Sequence, residues 1–113
     1  MSFKKDWKVR IEDMLGSISK IQRYLKGLDR ESFCEDERTV DAVSRNLEII
    51  GEAARKIPFD IVQLNPQIPW SKLAEMRNIL IHEYNSVPHE LIWRTVTKDI
   101  PPLIPHLTAL LRE

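Results

Sequence analysis

The densest run of chemically capable side chains is Arg77-Asn78-Ile79-Leu80-Ile81-His82-Glu83-Tyr84. A guanidinium is permanently charged and presents its N–H donors as a fork. That suits bidentate grip of a phosphate and stabilisation of the charge that builds up in phosphoryl transfer. Arg77 fits this part. Histidine has the unperturbed pKa nearest neutrality, so His82 can take a proton from a ribose 2′-hydroxyl or return one to a leaving oxygen. A ribonuclease working without metal needs little more. Asn78, one helical turn before His82, can orient the imidazole by hydrogen bonding or bind phosphate directly. On a straight helix Arg77 and Tyr84 share a face and Asn78 and His82 share the neighbouring one, so the four converge on one edge. The spacing also admits a plainer reading. Arg and His near a helix C-terminus complement its dipole, and Glu pairs with Arg.

The rest of the chain offers less. His89 and His106 are far from His82 in sequence and no Cys or His pair has zinc-ligand spacing, so neither metal nor cofactor is expected. The chain has three glycines and neither a G-x-x-x-x-G-K-[ST] loop nor a G-x-G-x-x-G turn, which removes those phosphate cradles. Ser17, Ser44 and Ser71 have no evident base nearby and read as helix surface or caps. Trp7, Trp70 and Trp93 sit on apolar faces and read as core or interface anchors before base-stacking platforms.

The elements that must position these residues are helical. Trp7, Ile11, Met14, Ile18, Ile21, Leu25 and Leu28 alternate four- and three-residue steps, which predicts a long helix ending near Gly27. Lys4, Lys8, Arg10, Lys20, Arg23 and Lys26 lie off that stripe. Asp29 to Phe33 reads as a capped turn, and Glu35-Asp36-Glu37 puts negative charge where the next helix begins. Val40, Val43, Leu47, Ile50, Ala54 and Ile57 carry a second long helix to Pro58. Gly51, Ala53 and Ala54 in its middle imply close approach of a neighbouring helix, since glycine there costs about 1 kcal/mol relative to alanine. Pro58 to Pro69 predicts an irregular connection or short helical turn anchored by Phe59, Ile61, Val62 and Leu64. Ser71 is the expected N-cap of a third helix that closes around Tyr84-Asn85-Ser86. Pro88 opens a further helical segment, and Asp99 is expected to cap a terminal helix carrying Leu103, Leu107, Leu110 and Leu111.

The predicted fold is all-α, one antiparallel four- to five-helix bundle over residues 1–113. The length suits a single core. With 17 basic and 17 acidic residues there is no one-signed field to draw a polyanion or membrane, so a polynucleotide would need a local basic patch. The lone Cys34 cannot form an intrachain disulfide. Met1-Ser2-Phe3-Lys4-Lys5 starts no continuous apolar stretch, so a cytosolic protein without membrane association is expected.

At the Arg77–Tyr84 string the sequence resembles the HepT-like branch of the HEPN superfamily, whose R-x-x-x-x-H motif is often extended to H-x-Y. Arg77, His82 and Tyr84 match it in full. Arg45-Asn46-Leu47-Glu48-Ile49-Ile50-Gly51-Glu52-Ala53-Ala54 resembles the family's second-helix signature. Leu91-Ile92-Trp93 with Ile100-Pro101-Pro102-Leu103 resembles its C-terminal region. The resemblance implies a homodimeric helical bundle (HEPN-like) with two copies of the motif in a shared cleft, where RNA such as tRNA or mRNA is cut without metal. Arg77 and His82 would be catalytic and Asn78 supporting. It also implies a toxin paired with an MntA-type minimal nucleotidyltransferase antitoxin, which neutralises it by adding AMP to the motif tyrosine, here Tyr84. A bulky anion two residues from His82 would fill the cleft and repel a phosphodiester. The alternative is a non-catalytic nucleotide- or partner-binding subunit of a nucleotidyltransferase complex, which net neutrality suits.

Overall fold

The computed structural model describes residues 6–113; Met1–Lys5, with the off-stripe cation Lys4 and the expected absence of a leader, lie outside the described residues. Among the described residues seven α-helices follow in order: α1 (Asp6–Leu25), α2 (Arg30–Glu35), α3 (Glu37–Arg55), α4 (Phe59–Leu64), α5 (Trp70–Glu83), α6 (His89–Arg94) and α7 (Leu103–Leu111). A 3₁₀ turn, Tyr84–Ser86, follows α5, and a π-helical stretch, Thr95–Asp99, continues α6. No strand occurs among the described residues, and the all-α expectation holds. The expected bundle consists of α1, α3, α5, α6 with its continuation, and α7. Helices α2 and α4, six residues each, connect them.

Helix α1 buries Ile11, Met14, Ile18 and Ile21, the centre of the stripe legible in the sequence. It stops because Gly27 takes a left-handed φ of 83°, which an L side chain would resist. The expected capped turn is itself a helix: Asp29 Oδ1 accepts from the Ser32 amide at 2.8 Å while Ser32 Oγ accepts from the Asp29 amide at 2.9 Å. Asp36 caps α3 by accepting from the Thr39 amide at 3.1 Å and the Thr39 hydroxyl at 2.6 Å. These bonds hold both carboxyl groups below the usual aspartate range, led by the Ser32 amide at Asp29 and the Thr39 hydroxyl at Asp36.

Helix α3 is the central element, packed against α1 on one side and α5 on the other. Val40, Val43, Leu47 and Ile50 are buried along it, each aliphatic side chain contributing roughly 1.5–3 kcal/mol by leaving water. Leu73 and Leu80 of α5 and Ile92, Val96, Leu103, Leu107 and Leu110 complete the core. Lys8 Nζ donates to the terminal carbonyls of Leu111 (3.4 Å) and Glu113, tying the start of α1 to the end of α7, where a cation complements the helix dipole.

Three local expectations are corrected. Ser71 does not cap α5; the helix begins at Trp70 behind Pro69, whose carbonyl accepts from the Leu73 amide at 3.0 Å. Phe59 and Leu64 do not anchor the connection. They are 73% and 75% exposed, because α4 is too short to turn all its apolar residues inward. Asp99 ends the π-helical stretch instead of capping α7, which follows Pro102. The hydroxyls of Thr95 and Thr97 bond back to the carbonyls of Leu91 (2.8 Å) and Trp93 (2.7 Å), a pattern that loosens the α-helical ladder there. The tryptophans serve the core: Trp70 is buried, Trp7 packs against the core, and Trp93 meets Phe33 at a ring-centroid distance of 5.3 Å. Among the described residues no helix is long and apolar enough to cross a membrane.

Candidate active site

The site is built where α5 crosses α3 at Gly51. A Cβ on Gly51 would overlap the Cβ of Arg77 and the carbonyl oxygen of Leu73, so the bare backbone of α3 is what lets α5 lie this close. The close approach expected from Gly51, Ala53 and Ala54 is therefore made by α5, and its contact point is the base of Arg77 itself.

Placed there, Arg77 is held from two sides. Its Nε meets Glu52 Oε2 of α3 at 3.0 Å, and its Nη1 donates to Asn78 Oδ1 at 2.7 Å. Both Nε and Oε2 are shut off from solvent, although their alignment is that of an ion contact and not of a linear hydrogen bond. The Arg77 side chain keeps 22% of its surface exposed. It lines a cavity of about 250 Å³ between α1, α3 and α5 together with Arg10, Asp13, Arg45, Glu48, Glu52 and Ile81. Glu52 also pairs with Lys56 at 3.3 Å and Arg55 at 3.8 Å. Burial pushes its carboxyl up, but the Lys56 hydrogen bond and the charges of Arg55, Arg77 and Lys56 outweigh this and hold it below the ordinary glutamate range.

His82, in the last turn of α5, is exposed, and its imidazole makes no hydrogen bond among the described residues. Asn78 is also exposed, but its side-chain carbonyl is spent on Arg77 and not on His82. The straight-helix expectation also gives way at Tyr84. Glu83 leaves helical geometry at φ −134°, ψ 27°, and Tyr84 starts the 3₁₀ turn. Its hydroxyl donates to the Asp41 carboxylate near the start of α3. Burial, then the hydrogen bond to Asp41, raises the Tyr84 phenol above its usual pKa.

Along α3, Asp41, Arg45, Glu48 and Glu52 follow at helical spacing, so one face of this helix runs beside the whole Arg77–Tyr84 string. Arg45 and Glu48 pair at 3.3 Å between the two ends. Sequence reasoning missed Glu52 and Asp41 as site residues. The available signal was the repetition of charge at 41, 45, 48 and 52 on the face adjoining the small residues.

An all-α bundle carrying R-x-x-x-x-H-x-Y on a helix pressed against a glycine of the central helix defines a narrow class. The ribonuclease HepT-like family model matches residues 14–110, and the chain belongs to that family. It is 43% identical over 100 residues to a Thermococcus cleftensis protein named "Probable ribonuclease HepT", covering 88% of this chain and 91% of that one. It is 33% identical over 110 residues to a "Putative RNase" of Methanocaldococcus jannaschii, covering 97% of this chain and 91% of that one. A "Putative RNase" of Caldanaerobacter subterraneus is 35% identical over 103 residues, covering 91% and 92%. No solved structure matches the chain.

Proposed function

We propose that this protein is a ribonuclease cutting RNA without metal, in which Arg77 binds the scissile phosphate and His82 moves the proton. The observation that carries the reading is the fixed guanidinium: Glu52 and Asn78 hold it while part of it faces a cavity also lined by Arg10 and Arg45. Orientation settled before the ligand arrives is what gives electrostatic stabilisation of a phosphoryl transition state its strength. His82, exposed on the same helix, is free to meet a ribose hydroxyl or a leaving oxygen. Asn78 supports the site through Arg77.

One motif per chain and a neutral monomer favour a homodimer that brings two motifs to one groove. Ile79 and Ile81, 38% and 43% exposed between Arg77 and His82, give such an interface apolar surface beside the chemistry. Membership of the family also supports a toxin role, with an MntA-type nucleotidyltransferase as antitoxin adding AMP to Tyr84. The exposed face of the Tyr84–Asp41 pair leaves room for that addition. A cytosolic location fits an RNA substrate. The test is incubation of the purified protein with tRNA and mRNA in excess chelator. Progressive cleavage is expected, and RNA that stays intact at stoichiometric protein contradicts the reading.

A further inference from the structure

The contact between Tyr84 and Asp41 is unused by the cleavage chemistry, which needs a grip on phosphate and a proton carrier and finds both elsewhere on α5. It joins two residues 43 positions apart, and the Tyr84 hydroxyl donates to a carboxylate oxygen. Asp41 is exposed and Tyr84 half-buried, so the phenolic oxygen is fixed in direction and still open to a large electrophile.

A phenol keeps its proton at neutral pH. Here burial and the negative charges of Asp41 and Glu37 make it keep that proton more firmly. A pre-formed phenolate is thus not the nucleophile; the proton must leave as the new bond forms. Phenol-to-carboxylate transfer is uphill in the resting state and becomes favourable once the oxygen begins to share its electrons with phosphorus, the situation that general bases serve. Asp41 is the carboxylate that already accepts the hydrogen bond from this proton.

We propose that Asp41 is the general base for nucleotidyl transfer to Tyr84. The Tyr84 oxygen attacks the α-phosphorus of a nucleoside triphosphate held by the nucleotidyltransferase partner, and the bond from that phosphorus to the departing pyrophosphate breaks. The phenolic proton passes to the Asp41 carboxylate. The proposal rests on the reading of Tyr84 as the acceptor of AMP. Asp41→Asn keeps the shape and an oxygen that can accept the hydrogen bond, but it cannot take the proton.

The experiment incubates the wild type and the Asp41→Asn, Asp41→Glu and Tyr84→Phe variants with the partner nucleotidyltransferase and ATP labelled at the α-phosphate, locating the label by peptide mass spectrometry. The wild type is expected to be labelled at Tyr84 and Tyr84→Phe to lose that label. Asp41→Asn should be slowed on the order of a hundredfold, with Asp41→Glu recovering most of the rate. Labelling of Asp41→Asn at the wild-type rate overturns the proposal and leaves Tyr84 as acceptor. A wild type unlabelled at Tyr84 overturns the acceptor reading and the proposal with it. A partner-free measurement checks the contact: in a Tyr24→Phe background, which leaves Tyr84 as the one tyrosine, ultraviolet titration should show the phenol ionising at lower pH in Asp41→Asn. An unchanged titration means the hydrogen bond is not made in solution, and this too overturns the proposal.

Discussion

A guanidinium acts on phosphate in proportion to how well its fork is aimed, and in this protein the aim is set by Glu52 and Asn78. Glu52 also carries a cost, because its negative charge offsets part of the field an incoming phosphate would feel. Glu52→Gln should therefore bind RNA no worse than the wild type while cleaving it on the order of ten- to a hundredfold more slowly, read as a fall in kcat with KM unchanged or lower. A fall in affinity with kcat intact would mean that Glu52 does not orient Arg77. The charged contacts of Glu52, led by Lys56 and followed by Arg55 and Arg77, bear on acid stability. The Glu52 carboxyl titrates below its ordinary range in the folded protein, so the unfolded chain binds more protons across that interval. The stabilisation is complete above the ordinary glutamate pKa and disappears as pH falls through the lowered one. Lys56→Ala, and to a smaller extent Arg77→Ala, should accordingly show a flatter loss of melting temperature on acidification than the wild type.

At the scale of elements, the α3–α5 crossing decides whether the site exists. Gly51→Ala puts a methyl where Arg77 Cβ and the Leu73 carbonyl already stand, so α5 must move. Overpacking of this kind costs about 1–3 kcal/mol. Its signature should be a loss of cleavage larger than the loss of folded protein, measured by comparing activity with circular dichroism at the assay temperature. Asp36→Ala removes the α3 cap far from Arg77 and should do the opposite, lowering the melting temperature by a few degrees while the folded fraction keeps its specific activity.

The α3 stripe from Val40 to Ala54, its glycine and its acidic start were legible in the sequence because helical periodicity and capping are local. The Arg77–Tyr84 string stood out because it is contiguous and resembles a family motif, not because of periodicity. What escaped was pairing between helices: nothing local says that Glu52 reaches Arg77 or that Asp41 reaches Tyr84, since both depend on the register in which α3 and α5 cross. The helix break at Glu83 and the π-helical stretch at Thr95–Asp99 escaped because tertiary contacts and threonine back-bonding overrode a pattern that reads as continuous helix. Phe59 and Leu64 were misplaced because apolar type alone does not say which side of a six-residue helix faces inward.

For the whole molecule, the formal charge of zero leaves attraction of RNA to local arrangement, and the arginines 10, 45 and 77 gather in one cavity with their acidic neighbours. Much of that cation charge is paired, so in the proposed dimer a second protomer would supply further phosphate contacts. Ile81 lines the cavity and is exposed beside the motif. Ile81→Glu should turn a dimer into a monomer in sedimentation velocity at micromolar concentration and abolish cleavage without unfolding the chain. A wild type already sedimenting as a monomer under these conditions would contradict a groove shared between protomers.

The central claim, that the arginine and histidine of one short helix carry out RNA cleavage, is tested most directly by the initial rate of His82→Ala in excess chelator, beside wild type of equal folded content and oligomeric state. A loss on the order of a hundredfold or more is predicted, since His82 is the proposed proton carrier and its side chain is exposed and bonded to nothing the fold requires. A rate within a factor of about two of wild type would show that the imidazole takes no part in the chemistry.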